Sequence, residues 1–190
     1  MPYPAQVQVE TLAEKARELI ESEGLDRLTL SALASAFGIA APSLYHHFKN
    51  KTALLQAVNM ATAAALTEHV STAVAEAVAA GQDGRAAILA MAHAYRAFAH
   101  ANPATYSLLY ANQNPDLRVD PRSAEALALP LQAAMAAVVG AAESLAALRG
   151  AWALIHGFVM LEIGGQFQRG GDLDAAFTAA VRAYIAGWKV

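Results

Sequence analysis

The chain has 190 residues, 56% of them apolar and only 15% charged, with a formal net charge of −3. Of these, 48 are alanine, which loses no side-chain entropy in a helix, and no β-branched run alternates with period two, so the composition points to an all-α fold. The absence of cysteine excludes a disulfide framework, a thiolate metal site and a cysteine nucleophile.

Val9, Leu12, Ala13, Ala16, Leu19 and Ile20 recur at helical spacing and predict a first amphipathic helix, with Glu10, Glu14, Lys15, Glu18 and Glu21 on its opposite face. Gly24 supplies its stop. After a short connection, Thr29 is placed to cap a second helix carrying Leu30, Leu33, Ala34 and Phe37, without the Glu or Gln that would complete a capping box. Gly38 ends it. A third helix starts almost at once, with Pro42 in its first turn, where a missing N–H costs little. Asn50 is placed to cap a long fourth helix that runs towards Gly81. A turn over 81–84 leads to a helix carrying Ile88, Met91, Ala92, Tyr95, Phe98 and Ala99, which Asn102-Pro103 breaks. A brief helical piece holds Tyr106 to Tyr110, and residues 112–123 read as a loop rich in Asn, Asp and Pro. Three further helices are expected at about 122–139, 141–163 and 172–188. The expectation is about nine helices.

Residues 29–48 combine a short helix, a glycine-containing turn and a second short helix, the parts of a helix-turn-helix. Gly38 permits the reversal and Ile39 packs at the elbow. Leu33 and Leu44 lock the pair onto Leu19 and Ile20 of the first helix. The front of the second short helix (Ala41, Pro42, Ser43, Tyr45 and His46) is then free to enter a major groove. Charge agrees with this reading. All six carboxylates of the first 50 residues precede Arg27, and none occurs from Arg27 through Thr67, while Arg27, Lys49 and Lys51 stand beside His46 and His47. Such a surface tolerates a phosphate backbone.

Residues 9–60 resemble the DNA-binding domain of TetR-family transcriptional regulators. The matching pieces are Gly24, Thr29, the Leu-Xxx-Xxx-Leu-Ala run ending in Gly38-Ile39, then Leu44-Tyr45-His46-His47-Phe48, Lys51 and Leu54-Leu55. The run Ala151-Trp152-Ala153-Leu154-Ile155-His156-Gly157-Phe158 further resembles the Trp–His–Gly regulatory domain of one branch of that family. The resemblance implies a helix-turn-helix domain over 1–50 and a helical-bundle ligand-binding and dimerisation domain over 51–190, linked by the fourth helix. It also implies that Thr29, Ser31, Ala41, Pro42, Ser43, Tyr45, His46, His47, Lys49 and Lys51 form the DNA-binding set, with Tyr45 and Lys51 as phosphate clamps. Two departures stand out. Ala40 replaces the usual Ser or Thr cap of the recognition helix, and the base-facing residues include no Arg, Asn or Gln, so reading leans on Ser43, methyl contacts and DNA shape.

Downstream, Met91, Tyr95, Phe98, Tyr106, Tyr110, Trp152, His156 and Met160 are the candidates to line an apolar effector pocket. Leu173, Phe177, Ala180, Val181, Tyr184 and Trp188 form one stripe, and Leu148, Trp152, Ile155, Val159 and Ile163 another. These two stripes are expected to build a homodimer as a four-helix bundle. A metal between His93 and His100 is disfavoured because Arg96 lies between them and repels a cation, and no nearby carboxylate is expected to complete the set. No cofactor is expected.

No stretch supplies about 20 nearly charge-free apolar residues: Thr52, Gln56, Asn59, Thr62 and Thr67 interrupt 51–67, and 150–163 is short and holds His156 and Glu162. The first ten residues have no signal-peptide pattern. The expected protein is a cytoplasmic repressor that binds palindromic double-stranded DNA and an effector. The competing readings are a helical protein-interaction module that has lost DNA binding, and an enzyme on a helical bundle. The second is opposed by the lack of G-x-S-x-G, H-E-x-x-H and P-loop motifs.

Overall fold

The computed structural model describes residues 8–111 and 114–188. Among these residues the secondary structure is nine α-helices and two short 3-10 turns, with no strand. The helices are α1 Val9–Glu23, α2 Leu30–Phe37, α3 Ala41–Leu44, α4 Lys51–Ala79, α5 Gly84–Ala101, α6 Pro103–Ala111, α7 Pro121–Val139, α8 Ser144–Ile163 and α9 Leu173–Gly187. They separate into two compact units. One holds the described residues through Ala65 together with Asn102–Pro121, and the other holds Leu66–Ala101 and the described residues from Arg122 onward.

The units divide α4, which the sequence reading takes as the link between domains, near its middle. Packing explains where. Leu54 and Val58 of α4 join one core with Leu12, Ile20, Leu33, Leu44 and Phe48, and so do Leu108 and Leu117. The α6 segment is pinned there by a carboxylate: Glu21 accepts from the Ala104 N–H at 3.1 Å, the Thr105 N–H at 2.8 Å and the Thr105 hydroxyl at 2.6 Å. This satisfies the orphan donors at the start of α6 from another helix, which no local motif announces. Buried Asn59 likewise donates to the Leu117 carbonyl at 2.7 Å.

In the second unit α5 packs against α8 and α9, and α8 packs against α9. The buried residues are Ile88, Met91, Tyr95 and Phe98 from α5, Ala147, Ala151, Ile155 and Val159 from α8, and Phe177, Val181 and Ile185 from α9. Gly150 matters here because the Tyr184 ring lies against it, with the Tyr184 hydroxyl donating to the Ala147 carbonyl at 2.7 Å.

Two local expectations shift. The loop over 112–123 is shorter within the described residues, since Pro115–Leu117 form a 3-10 turn and Pro121 opens α7; residues 112 and 113 lie outside them. The apolar stretch at 150–163 belongs to a 20-residue helix, the one helix among the described residues long and apolar enough by composition to cross a membrane. Its residues Ala147, Ala151, Ile155 and Val159 face protein, and Glu162 near its end is held in an ion-pair network.

Candidate nucleic-acid interface

The helix-turn-helix is built from local signals. Thr29 has extended backbone and its side chain accepts from the Ala32 N–H at 3.0 Å, capping α2. Gly38 closes α2 in the left-handed region at φ 67°, where a side chain is strained. Ala40 has no side-chain cap to offer, as its methyl group requires. Regular α geometry in α3 lasts only from Ala41 to Leu44, but the chain keeps turning, with the His47 and Phe48 N–H groups both donating to the Leu44 carbonyl at 2.9 and 2.8 Å. Asn50 then caps α4, accepting from the Ala53 N–H at 2.9 Å.

This arrangement separates anchors from a free surface. Leu44 is fully buried and Phe48 nearly so, while Tyr45 is 58% exposed. Pro42, Ser43, His46 and Lys49 are also exposed, as are Thr29, Ser31 and Lys51, whereas Ala41 is half-buried and packs on the core. His47 is half-buried, its ring 6.5 Å from that of Phe48 and tilted against it. Lys51 stands in the first turn of α4, its Nζ 3.4 Å from the Leu25 carbonyl, a long contact that leaves most of its donor capacity free. Three of the acids on α1 are engaged elsewhere: Glu14 with Arg17 at 2.7 Å, Glu18 with Lys15 at 2.6 Å, and Glu21 with α6. The exposed front of α3 therefore meets no carboxylate from its own segment, since none occurs between Arg27 and Thr67.

The proposed effector residues divide between the units. Tyr106, fully buried, and Tyr110 stack edge to face at 5.0 Å in the first unit. Met91, Tyr95, Phe98, Trp152, His156 and Met160 belong to the second. There the Trp152 indole N–H donates to the Tyr95 hydroxyl at 3.2 Å, and the His156 ring lies 6.4 Å from the indole. Burial lowers the His156 pKa, favouring the neutral imidazole. Met160 is half-buried.

Of the residues assigned to a dimer interface, Ile155, Val159, Phe177 and Val181 are at most 3% exposed within one chain. Side chains consumed by the chain's own core in this way stand behind, rather than on, the outward faces of α8 and α9. Trp152 is 49% exposed, and Leu148, Ile163, Leu173, Tyr184 and Trp188 are half-buried. Leu145 and Leu161, absent from the expected set, are 42% and 46% exposed.

The structure also assembles a network that helical spacing on one element did not reveal. Arg96 donates to both oxygens of Glu162, at 2.8 and 2.6 Å, and pairs with Asp174 at 2.6 Å. Its guanidinium lies 5.1 Å from the Phe177 ring centroid, and His100 meets Glu162 at 2.9 Å. Arg96 and His100 pull the Glu162 carboxyl down to about 2, against the opposing effect of burial, and the two acids raise Arg96. Carboxylates thus do reach the His93–His100 region, contrary to the expectation, but from α8 and α9, and Arg96 takes them. His93 instead meets the Thr178 hydroxyl at 3.2 Å, and burial, Arg96 and Arg182 lower its pKa. The signal available in the sequence was Glu162, a lone acid on a long apolar helix.

Comparison with known proteins agrees with both halves of this architecture. The family model for bacterial regulatory proteins, tetR family, matches residues 12–58, and that for the tetracyclin repressor-like C-terminal domain matches residues 88–184. The uncharacterized HTH-type transcriptional regulator Rv0681 of Mycobacterium tuberculosis is 33% identical over 98% of this chain and 84% of its own length. A protein of unknown function from Rhodococcus sp. RHA1 superposes with a TM-score of 0.77, at 27% identity over 99% of this chain and 98% of that one. A TetR variant from Acinetobacter baumannii AYE, solved in complex with minocycline, superposes with a TM-score of 0.67, at 24% identity over 95% and 96% of the two chains.

Proposed function

Because the chain belongs to the tetR family of bacterial regulatory proteins and is a DNA-binding transcriptional regulator, not an enzyme, we propose that it acts as a cytoplasmic repressor, binding a palindromic operator as a homodimer and released by a small-molecule effector. The observation that carries the DNA-contacting part is the acid-free front of α3, with Tyr45 58% exposed beside fully buried Leu44. Pro42, Ser43 and His46 face the major groove, Tyr45, Lys49 and Lys51 engage phosphates, and the remaining sequence-assigned residues, Thr29, Ser31, Ala41 and His47, flank them. Thr29 contributes chiefly through its cap, since its hydroxyl already serves Ala32.

Two copies pair through the outward surfaces of α8 and α9, with Trp152 at the centre and Leu148, Ile163, Leu173, Tyr184 and Trp188 around it. The buried residues Ile155, Val159, Phe177 and Val181 hold those helices in position from within. Twofold pairing sets two α3 segments about one DNA turn apart on an inverted repeat. The effector site is the Tyr95–Trp152–His156 cluster with Met91, Phe98 and Met160, an apolar lining with few polar groups. The shared fold with a minocycline-bound neighbour supports a ligand-responsive regulatory unit. Since a ligand shifts an equilibrium only through differential affinity, release requires tighter binding to the form that does not fit DNA.

The test is selection from a random duplex pool with the wild type and with a Tyr45→Ala, Lys51→Ala double variant. Enrichment of an inverted repeat by the wild type alone is expected. Equal enrichment by the double variant would remove the phosphate clamps. No enrichment, even with small molecules from a cell extract present, would favour the interaction-module reading.

A further inference from the structure

The outer seam between α5 and α9 holds a second feature, independent of the DNA surface and of the Trp152 cluster. Arg85, Ala86 and Leu89 of α5 and Arg182 and Ile185 of α9 line an open cleft of about 260 Å³. Two arginines on facing helices share this cleft, and among the described residues no carboxylate lines it. Asp83, the acid nearest Arg85 in sequence, spends its side chain on the Ala86 N–H at 2.8 Å. Arg85 donates one bond, at 3.5 Å, to the Trp188 carbonyl, which leaves most of its five N–H groups for another acceptor. Arg182 is exposed and has no hydrogen-bond or ion-pair partner among the described residues.

The contrast with the rest of the unit is informative. Arg96, about three turns along the same helix, meets two carboxylates. The cleft arginines meet none among the described residues, and like charges converging on one space repel unless an anion lies between them. Beside the arginines the lining is apolar: Ala86, half-buried Leu89, and Ile185 at 5% exposure.

We infer that this cleft binds a small organic anion, with its acid group held between Arg85 and Arg182 and a short aliphatic body against Leu89 and Ile185. Guanidinium groups suit a carboxylate because their planar donors match two oxygens. The volume suits a body of a few carbons.

Hexanoate is the probe, with hexanol as its uncharged counterpart and inorganic phosphate as the anion without a tail. Each is titrated into the full chain while backbone amide shifts are followed, for the wild type and for Arg85→Gln and Arg182→Gln. Both substitutions fall on exposed side chains, and unchanged far-UV circular dichroism and DNA binding check the fold separately. Expected are saturable shifts at Ala86, Leu89 and Ile185 with hexanoate, weakened about tenfold in either variant, as losing one charge-assisted bond implies. Phosphate binds more weakly and hexanol gives no saturable change there. Equal hexanoate affinity in wild type and variants, hexanol matching hexanoate, or no saturable shift at these amides would overturn the inference. Loss of DNA binding by the wild type would instead strike at the regulator reading and leave this result standing.

Discussion

Gly150→Ala offers a sharp check on how α8 and α9 are held together. A Cβ on Gly150 falls inside the contact distance of the Tyr184 hydroxyl and lies 3.0 and 3.1 Å from Cζ and Cε2 of the same ring. The ring must move, and its hydroxyl then loses the 2.7 Å bond to the Ala147 carbonyl. Overpacking costs about 1–3 kcal/mol and the lost hydrogen bond about 1 kcal/mol, while replacing a mid-helix glycine by alanine returns about 1 kcal/mol. The net is a destabilisation of about 1–3 kcal/mol. In a Tyr184→Ala background the obstacle is gone and only the helix-propensity gain remains, so the same substitution stabilises by about 0.5–1 kcal/mol. The sign of the effect reverses between backgrounds. Urea unfolding of the four proteins at one fixed protein concentration measures it, since the proposed dimer would make apparent stability concentration-dependent. A Gly150→Ala effect of the same sign and size in both backgrounds would refute the argument that Tyr184 is what makes this glycine necessary.

Four further outcomes are expected. Glu162→Gln removes the bidentate partner of part-buried Arg96 and costs about 2–3 kcal/mol, below the range for a fully buried pair; an unchanged urea midpoint would show the network to be ornamental. Glu162 is held at about 2, against an ordinary glutamate value of 4.5, so its stabilisation is fully present above the unfolded value and is lost as pH falls from there towards about 2; the wild type should lose stability over that window relative to Glu162→Gln, and parallel acid titrations of the two would contradict this. Thr29→Ala removes the cap on Ala32 and costs about 1 kcal/mol, which thermal unfolding and operator affinity should both register, and Thr29→Ser should restore most of it. The salt dependence of operator binding should correspond to about four to six phosphates per dimer, because few cations surround α3; a slope typical of about ten contacts would mean that other basic residues reach the DNA.

The parts of this protein that were readable from the sequence are those whose partners lie within one helical turn. Thr29 and Ala32, Gly38 and the last carbonyls of α2, and Asn50 and Ala53 are caps in which the side chain or the special backbone sits three or four residues from what it satisfies. Residue type and spacing then contain nearly all of the physics, and the helix-turn-helix follows from them. Arg96 and Glu162 lie 66 residues apart, and Glu21 and Thr105 lie 84 apart, so only the packed chain brings them within reach. The dimer stripe shows a subtler limit. Period 3.6 identifies Ile155, Val159, Phe177 and Val181 as one apolar face per helix, but an apolar face says only that water is excluded, not whether the cover is the same chain or another. In α8 the apolar surface extends around the helix to Leu145, Trp152 and Leu161, and its own core takes the side that meets α5 and α9. What is left for a partner is therefore the residual face, identified by subtraction once the core is known. Trp152 is informative on that ground, because it is both a hydrogen-bond partner of buried Tyr95 and a large exposed apolar surface. In the proposed dimer one side chain would touch the effector cluster through its indole N–H and the second copy through its ring, so a ligand that moved Trp152 would act on the subunit interface directly. Trp152→Phe keeps an aromatic surface, though a smaller one, and deletes the donor, so it should largely preserve self-association while altering the response to effector, whereas Trp152→Ala should weaken both. Sedimentation of the two variants separates these outcomes, and equal self-association of Trp152→Ala and wild type would place the dimer contact elsewhere.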